Sequence, residues 1–402
     1  GLVFTDIYRW MDEDLEPSPP PVRSGEVLED LVGKKIVFRS GWGPDDTYLM
    51  LNYRDEGPYA RVPRDFLRHT IPVEEEKMHH GHSDENSISL LMHEGSVLLH
   101  DAGYRDRMPS GDWGAYREDY FHNRIVARKD KRDREQPLFE FMRNMGSYNP
   151  VATEKIDCFD VEHSDVSRTR LIDARTGYEW DRVIVHVREA PLFVVVDIVK
   201  VLETDYYTFA DLWHGQHVLA EGPHHRVIAT DTIQNWEGGR DQALLVNFLH
   251  RGGGEIGTFP IMRHRQEEHA VYHALSSHLP AGRTIAFTTV LVPVKRGADV
   301  APLVDAASLL DTDPAENGVG VRIALAGVTH TICVKTDLER DILTANVRPR
   351  YTFESGRVAY GPFETDASFL HAREEGGKLF YSAANMVKVV HEGKVIFEAR
   401  PS

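Results

Sequence analysis

The chain has 402 residues, of which 41% are hydrophobic and 27% are charged, and its formal net charge is −17. This length exceeds one small domain, and the composition is that of a globular protein with a substantial core. The acidic balance argues against a general binder of nucleic acid or membrane surfaces. The two cysteines, Cys158 and Cys333, form neither a disulfide framework nor a metal motif.

The first 33 residues predict a short N-terminal helical segment and a proline-rich linker. The helical parts are expected over residues 4–15 and 28–31, on either side of four prolines. Short β-type runs begin at Lys35. The charged residues 54–78 then predict a long loop.

A histidine-rich stretch, Met78 to Asn86, follows this loop and turns directly into an alternating apolar run. Period-two alternation in a strand places His80, His82 and Asp84 on one face and His79 on the other. Imidazoles two residues apart on one face can point at a common centre. That arrangement suits metal ligation or paired proton transfer.

Asp101 and His122 extend this pattern along the chain. His82, Asp101 and His122 are separated by 19 and 21 positions, which suits ligands on successive strands. Two imidazoles and a carboxylate bind zinc or another divalent first-row metal. Each residue alone also fits a structural role, such as a hydrogen-bonded histidine or an aspartate that forms a turn. Spacing leaves both interpretations open.

Proton transfer needs further groups in the same cleft. His80 would keep a free imidazole beside a ligated His82. Three tyrosines follow the histidine-rich stretch within about one strand and one loop. Any of them would supply a phenol, and they are Tyr104, Tyr116 and Tyr120. Sheet packing explains each tyrosine equally well.

Three other features of the sequence are weaker candidates for a functional role. His186 and His214 lie in strand patterns that reach the same sheet face, and a structural role is favoured for both. The basic residues within 124–134 form a patch that would suit an anion, although a solvated loop of mixed charge explains them as well.

Strand patterns dominate from Cys158 onward and are separated by glycine and proline turn signals. Many short strands with few helical patterns predict antiparallel sheets packed face to face. We therefore predict an all-β chain with a large antiparallel β-sandwich over residues 34–297 and a smaller C-terminal β-sandwich over 298–402. Residues 129–156 are predicted as an insertion, and 298–311 as a short helix or linker.

Four motifs, in this order, resemble the heparinase II/III-like polysaccharide lyases, a superfamily that includes heparin, heparan sulfate and alginate lyases. They are Phe38–Gly43, His80–Asp84, Leu98–Tyr104 and His122–Asn123, and the resemblance covers about residues 35–127. It implies a carbon–oxygen lyase that cleaves uronic-acid-containing polysaccharides by β-elimination. In that reaction a base removes the C5 proton, polar groups stabilise the carboxylate, and an acid protonates the leaving oxygen.

The resemblance also implies a metal centre. By position, His82, Asp101 and His122 look like the ligands of a mainly architectural zinc. Asp84 and Asn123 would support those ligands through hydrogen bonds.

The resemblance implies His80 as the catalytic histidine of the β domain, and we add Tyr116 and Tyr120 as candidate catalytic phenols. The predicted substrate-binding residues are Arg124, Tyr104 and His214. Arg124 stands where members of the superfamily commonly carry threonine, so the identity of the polymer does not transfer.

Members of the superfamily join an α/α toroid to the β-sandwiches, and the toroid supplies a catalytic tyrosine with an asparagine or histidine. No toroid pattern occurs in these 402 residues. We therefore expect an upstream or separate toroid domain and an acidic polysaccharide or oligosaccharide as partners, without nucleic acid or membrane. The resemblance implies a periplasmic or secreted protein, and homo-oligomer formation stays open.

Two alternatives stay open. The first is a non-catalytic module of the same fold that binds or scaffolds glycans. The second is a cupin-like metal-dependent oxygenase, because His-x-His with a carboxylate and a later histidine forms a facial triad. Asn86 and Ser87 stand where the cupin pattern has its glutamate, which argues against the oxygenase.

Overall fold

The computed structural model describes residues 28–30, 33–55, 83–101, 118–145, 151–233, 236–237, 241–263, 266–341, 350–353 and 356–399. Regular structure within these residues is almost entirely antiparallel β-sheet, so the all-β prediction is confirmed. The described helices are all too short or too polar to cross a lipid bilayer.

A five-stranded sheet begins the described chain. Its strands pair in sequence order, and they are β1 (Leu28–Asp30), β2 (Lys35–Arg39), β3 (Tyr48–Asn52), β4 (Ser87–His93) and β5 (Ser96–His100). Phe38, Leu49, Leu91 and Leu99 are fully buried on one packed face. Alternating apolar residues therefore form this sheet and fix which face lies inside.

The prediction of a helical turn over residues 28–31 is wrong in its described part. Leu28–Asp30 is a strand, and Leu28 pairs with Val37 of β2. Pairing with a neighbouring strand overrides local helical preference, because each paired residue gains ladder hydrogen bonds and packing. The helix predicted over residues 4–15 lies outside the described residues.

The large sandwich follows, and its elements extend to Lys295. They are β6 (Ile125–Arg128), α1 (Leu138–Met145), β7 (Ala152–Val161), β8 (Ser164–Asp173), β9 (Tyr178–Val187), β10 (Leu192–Val201), β11 (Asp205–Gly215), β12 (His217–Glu221), β13 (His225–Ala229), β14 (Thr232–Ile233), β15 (Trp236–Glu237), β16 (Gln242–Leu249), β17 (Glu255–Arg263), β18 (Gln266–Leu279) and β19 (Thr284–Lys295). The predicted insertion at 129–156 contains α1 and the start of β7.

Eight of these strands form one open sheet in the order β12-β13-β16-β19-β10-β9-β8-β7, and four form a second sheet in the order β17-β18-β11-β6. β14 and β15 form a short hairpin. Open layered sheets do not match the single small barrel that the cupin-like alternative requires.

Strand β10 shows how the layers stack. Its sequence, Leu192–Val201, is an almost continuous apolar run, which is typical of a strand buried on both faces. Phe193 and Val195 pack against the first sheet, whereas Val194 and Val196 pack toward the C-terminal strands. The eight-stranded sheet is therefore the central layer of the molecule.

The C-terminal part contains two five-stranded sheets. Its elements are α2 (Ala301–Ala306), β20 (Ala307–Leu310), β21 (Thr312–Asp313), β22 (Gly318–Leu325), β23 (Val328–Lys335), β24 (Leu338–Asp341), β25 (Arg350–Phe353), β26 (Val358–Tyr360), β27 (Phe363–Thr365), β28 (Phe369–Glu375), β29 (Lys378–Ala384), β30 (Lys388–His391) and β31 (Lys394–Glu398). The sheets follow the orders β20-β22-β23-β28-β29 and β21-β26-β27-β30-β31. Their shared core includes Tyr360, Phe363, Leu370 and Val389.

Two histidines of the C-terminal part lie buried where it meets the large sandwich. His371 Nδ1 lies 3.1 Å from Ser164 Oγ, and His371 Nε2 lies 3.1 Å from His330 Nδ1. Burial, followed by the neighbouring His330, His163 and Arg373, lowers the pKa of His371 to about 3. The folded protein therefore keeps His371 neutral.

We expect His371→Gln to reduce the loss of stability in acid. The unfolded histidine titrates near pH 6.5, so between about pH 6.5 and 3 the unfolded chain binds a proton that the folded chain does not. The contribution of His371 to the free energy of unfolding is complete above pH 6.5. Below that pH the contribution falls by up to about 1.4 kcal/mol per pH unit. Urea midpoints at neutral pH and near pH 5 measure the slope. The exposed His278→Gln should keep the wild-type slope, and so would His371→Gln if this account were wrong.

Candidate active site

Asp101 and His122, two of the three predicted metal ligands, lie in direct contact. Asp101 follows β5, and His122 follows the 3-10 turn Asp119–Phe121 just before β6. His122 Nδ1 lies 2.9 Å from Asp101 Oδ2. A carboxylate accepts hydrogen bonds, so Nδ1 carries the proton, and in the neutral imidazole Nε2 presents a lone pair.

The Nε2 atom of His122 is buried and has no hydrogen-bond partner in the described part of the chain. The His122 side chain is fully buried. Buried polar atoms are normally paired, so this nitrogen is suited to bind a metal or to accept a hydrogen bond. A histidine oriented by a carboxylate is the usual arrangement around a protein-bound metal.

Asn123, predicted to support the ligands, joins three backbone segments. Its Nδ2 donates to Ile88 O at 3.0 Å and to His100 O at 3.2 Å. Its Oδ1 accepts from the backbone N–H of His214 at 2.8 Å. Asn123 therefore ties β4, β5 and β11 together and fixes the backbone beside His122.

Arg182 also holds the backbone beside His122 in place. This fully buried arginine is held by Asp197, with Nε–Oδ1 and Nη2–Oδ2 distances of 2.8 and 2.9 Å. Its Nη1 donates to Asn86 O at 3.0 Å and to Asn123 O at 2.7 Å. The sequence analysis missed this pair, although an isolated aspartate within the apolar run of β10 was a visible signal.

A second buried arginine, Arg263, anchors the end of β5. Its Nη2 donates to His100 O at 2.8 Å, and its Nη1 lies 3.1 Å from Glu268 Oε2. All three residues lie in the interior. The residue that precedes Asp101 is therefore fixed by a charge-assisted contact.

Arg124 was predicted to bind substrate, but its guanidinium is turned inward. Its Nη1 lies 2.9 Å from Glu85 Oε2 and also donates to Ser83 O. Burial raises the pKa of Glu85 to about 8, and the Arg124 charge opposes that rise. We assign Arg124 and Glu85 as an ion pair, because the guanidinium stays protonated and lies in contact with this carboxylate. The described geometry gives Arg124 a structural role and does not support substrate binding by this side chain.

His214 and Tyr120 also lie in the interior. His214 Nε2 lies 3.0 Å from Tyr120 O, and its Nδ1 lies 3.3 Å from Asn123 Oδ1. Burial lowers the pKa of His214 well below its usual value, so this imidazole is neutral. Burial likewise raises the pKa of the Tyr120 phenol, whose ring packs on Phe121 and Phe139. The geometry supports neither substrate binding by His214 nor catalysis by Tyr120.

Asp84 is half-buried, and its Oδ2 accepts from Asn52 Nδ2 at 2.7 Å. This contact fixes the end of the histidine-rich stretch against β3. The remaining predicted site residues lie outside the described residues, and they are His80, His82, Tyr104 and Tyr116. Within the described ranges no three His, Cys, Asp or Glu side chains form a metal-binding group.

No protein-family model matches this chain, and no curated protein does. Solved structures do match. Heparinase III matches over 78% of this chain with a TM-score of 0.53 and 15% identity. A mutant of heparan sulfate lyase HepC from Pedobacter heparinus matches over 84% with a TM-score of 0.51 and 11% identity. The chain shares the fold of these enzymes.

The heparinase III gene product BT4657 gives the same result, with a TM-score of 0.53 and 14% identity over 78% of this chain. At such identities the likeness to heparinase III establishes the fold alone, and at that level the resemblance is confirmed. This chain spans about 43% of the length of each of the three matched proteins.

Proposed function

We propose that this chain is the β-sandwich part of a polysaccharide lyase that cleaves a uronic-acid-containing acidic polysaccharide by β-elimination. The shared fold supports this proposal, as do the four motifs. The observation that carries it is the buried His122, which Asp101 orients and whose Nε2 has no partner among the described residues. The site lies where β5 ends and β6 begins, with the Asp84 end of the histidine-rich stretch held against the same sheet.

We further propose that His122, Asp101 and His82 hold a zinc ion. The lone pair on His122 Nε2 suits a divalent metal, and so does the adjacent carboxylate. A bound ion would cross-link three segments that are distant in sequence and would contribute fixed positive charge. The contact between His122 Nδ1 and Asp101 Oδ2 leaves two roles for Asp101, as a ligand or as the group that orients His122.

The catalytic work assigned to this chain rests on His80. Its position in the motif suits neutralisation of the uronate carboxylate or transfer of a proton. Arg124 and Tyr120 are buried, so the proposal does not use them. Tyr116 or a residue of a separate toroid domain would supply the phenol. Such a partner domain fits the fraction of the matched lyases that this chain spans.

The test is incubation of the full-length gene product with a panel of uronate polysaccharides while the absorbance of the unsaturated product is followed. We expect turnover on at least one polymer, with loss of turnover and little loss of stability in His80→Ala. His79→Ala is the matched control, because it removes a neighbouring imidazole that belongs to neither the proposed ligand set nor the proposed catalytic group. Absence of product from every polymer would overturn the lyase proposal.

A non-catalytic glycan-binding module of the same fold is the second candidate. The burial of Tyr120 favours it, since one of the two predicted catalytic phenols is inaccessible. Retention of a polymer by the full-length protein without any unsaturated product would select this candidate.

A further inference from the structure

A polar cavity of about 600 Å³ lies at the end of the first sheet that is opposite to the Asp101–His122 site. The β2–β3 and β4–β5 turns line it on one side, and the end of β9 with the turn after it lines the other side. Strand β5 begins two residues after Glu94, which lines the cavity, and ends just before Asp101. The length of a strand therefore separates the two places. The volume of the cavity suits a small molecule.

His186 is a buried polar side chain in the wall of this cavity. The residue is 1% exposed, and its ring stacks on Phe193 at a centroid distance of 4.7 Å. Its Nδ1 lies 3.1 Å from Asp165 Oδ2, so Nδ1 carries the proton, and in the neutral ring Nε2 presents a lone pair. That Nε2 has no hydrogen-bond partner in the described part of the chain and, unlike Nε2 of His122, is not sealed from solvent. His186 therefore offers the cavity an oriented hydrogen-bond acceptor.

Arg188, which also lines the cavity, contributes little free positive charge. Its Nε and Nη2 atoms donate to Asp165 Oδ1 at 3.1 and 2.5 Å, and Nη2 lies 3.6 Å from Asp160 Oδ2. The Asp165 carboxylate is fully buried, so its contact with the guanidinium is only weakly screened by solvent. Two carboxylates thus surround one guanidinium, and Arg188 does not make this cavity a site for anions.

His93 and Glu94 lie on the opposite side of the cavity. His93 Nδ1 lies 2.8 Å from Thr47 Oγ1, which fixes the ring, and His93 Nε2 lies 3.9 Å from Glu94 Oε1. Burial lowers the pKa of His93, and the Glu94 charge opposes that change. His93 is therefore neutral at pH 7 and does not compensate the carboxylate. Gln242 donates to Glu94 Oε2, whereas Oε1 accepts no hydrogen bond from the described residues.

Asp45 adds a second carboxylate to the same side. Its backbone oxygen accepts from the Glu94 N–H at 3.1 Å, so the two turns lie side by side. The Asp45 side chain is exposed and has no partner in the described ranges. Since His93 is neutral and Arg188 is paired, these carboxylates leave the cavity negatively charged. No three possible metal ligands of the described chain converge here, so the charge suits an organic cation.

We propose that this cavity binds a small organic cation through a primary ammonium group. An ammonium group has three N–H donors and no acceptor, which complements the carboxylates of Glu94 and Asp45. His186 Nε2 accepts a hydrogen bond from a hydroxyl or a second amine elsewhere in the ligand. An amino sugar and an aliphatic diamine share this chemistry. Binding requires neither turnover nor the proposed metal centre.

Calorimetric titrations of the whole chain at pH 7 with D-glucosamine hydrochloride and with putrescine test the proposal. We expect a dissociation constant in the millimolar range for at least one amine. Glu94→Gln should weaken it by about tenfold through loss of a charge-assisted contact, although the new amide oxygen still accepts from Gln242. Glu392→Gln is the matched control and should bind as the wild type does. Glu392 has the same place in the β30–β31 turn, with φ of 48° against 45° for Glu94, and does not line this cavity.

Two further measurements do not depend on any variant folding. N-Acetyl-D-glucosamine keeps the sugar ring but lacks the charge, so it should bind more weakly than D-glucosamine. The imidazole NMR signal of His93 should shift on addition of the bound amine and remain in place on addition of sodium chloride. Tighter binding of D-glucosamine would identify an amino sugar as the ligand, and tighter binding of putrescine an aliphatic amine. Absence of binding by both amines, undiminished binding in Glu94→Gln, or equal binding of N-acetyl-D-glucosamine and D-glucosamine would overturn the proposal.

Discussion

Replacing Arg182 by methionine is expected to lower the free energy of unfolding by about 3–5 kcal/mol. The guanidinium is fully buried and forms two hydrogen bonds with the Asp197 carboxylate. Methionine fills a similar volume but leaves Asp197 without its counter-charge in the core. The substitution also removes the donors to the Asn86 and Asn123 carbonyls, so the backbone beside His122 should loosen.

Urea unfolding followed by tryptophan fluorescence measures this effect, because Trp180 and Trp213 lie 4.9 and 5.4 Å from the Arg182 guanidinium. Arg175→Met, at an exposed turn between β8 and β9, is the matched control and should stay within about 0.5 kcal/mol of the wild type. Arg182→Met combined with Asp197→Leu should recover part of the loss, because removing both charges is far less costly than removing one. An Arg182→Met midpoint equal to that of the control would refute the assignment.

The second large effect is expected at the proposed metal centre. His122→Ala should reduce bound zinc from about one ion per chain to nearly none, and it should lower the melting temperature. A metal that binds only the folded state adds its binding free energy to stability, and alanine removes that contribution. Elemental analysis of the purified full chain, with a thermal melt, provides both measurements. His278→Ala, at an exposed position, is the control and should leave both unchanged.

Asp101→Asn distinguishes the two roles left open for that residue. If Asp101 only orients His122, the amide oxygen still accepts the Nδ1 hydrogen bond, and zinc affinity should fall by about 10–100-fold. If Asp101 is itself a ligand, the loss should approach that of His122→Ala. A His122→Ala protein with its full complement of zinc would show that the ligand set is wrong.

The positions of the strands could be predicted from the sequence wherever the pattern of burial along the strand is regular. The runs that became β9, β10 and β19 are apolar and β-branched, so their periodicity reports their position in the central layer. β12 and β17 were missed for identifiable reasons. β12 is mostly exposed at the edge of its sheet, and β17 contains Gly257 and Pro260, residues that a central strand rarely tolerates.

The buried charge pairs were beyond the sequence analysis because their partners depend on register. Asp197 faces Arg182 directly across β10 and β9. A shift of one residue would turn each side chain to the opposite face. The sequence shows both charges within apolar runs, but only strand pairing shows that they neutralise each other.

The all-β class was predictable from the sequence alone, and so was the choice of Asp101 and His122 as candidate site residues, since motif order and alternation are local properties of the chain. Which polar side chains face inward became visible only in the folded protein. Arg124, His214 and Tyr120 looked available for a ligand but lie in the interior, because sheets formed from distant segments cover them. The contacts of these polar side chains depend on how segments distant in sequence pack together, and a local pattern does not specify that packing.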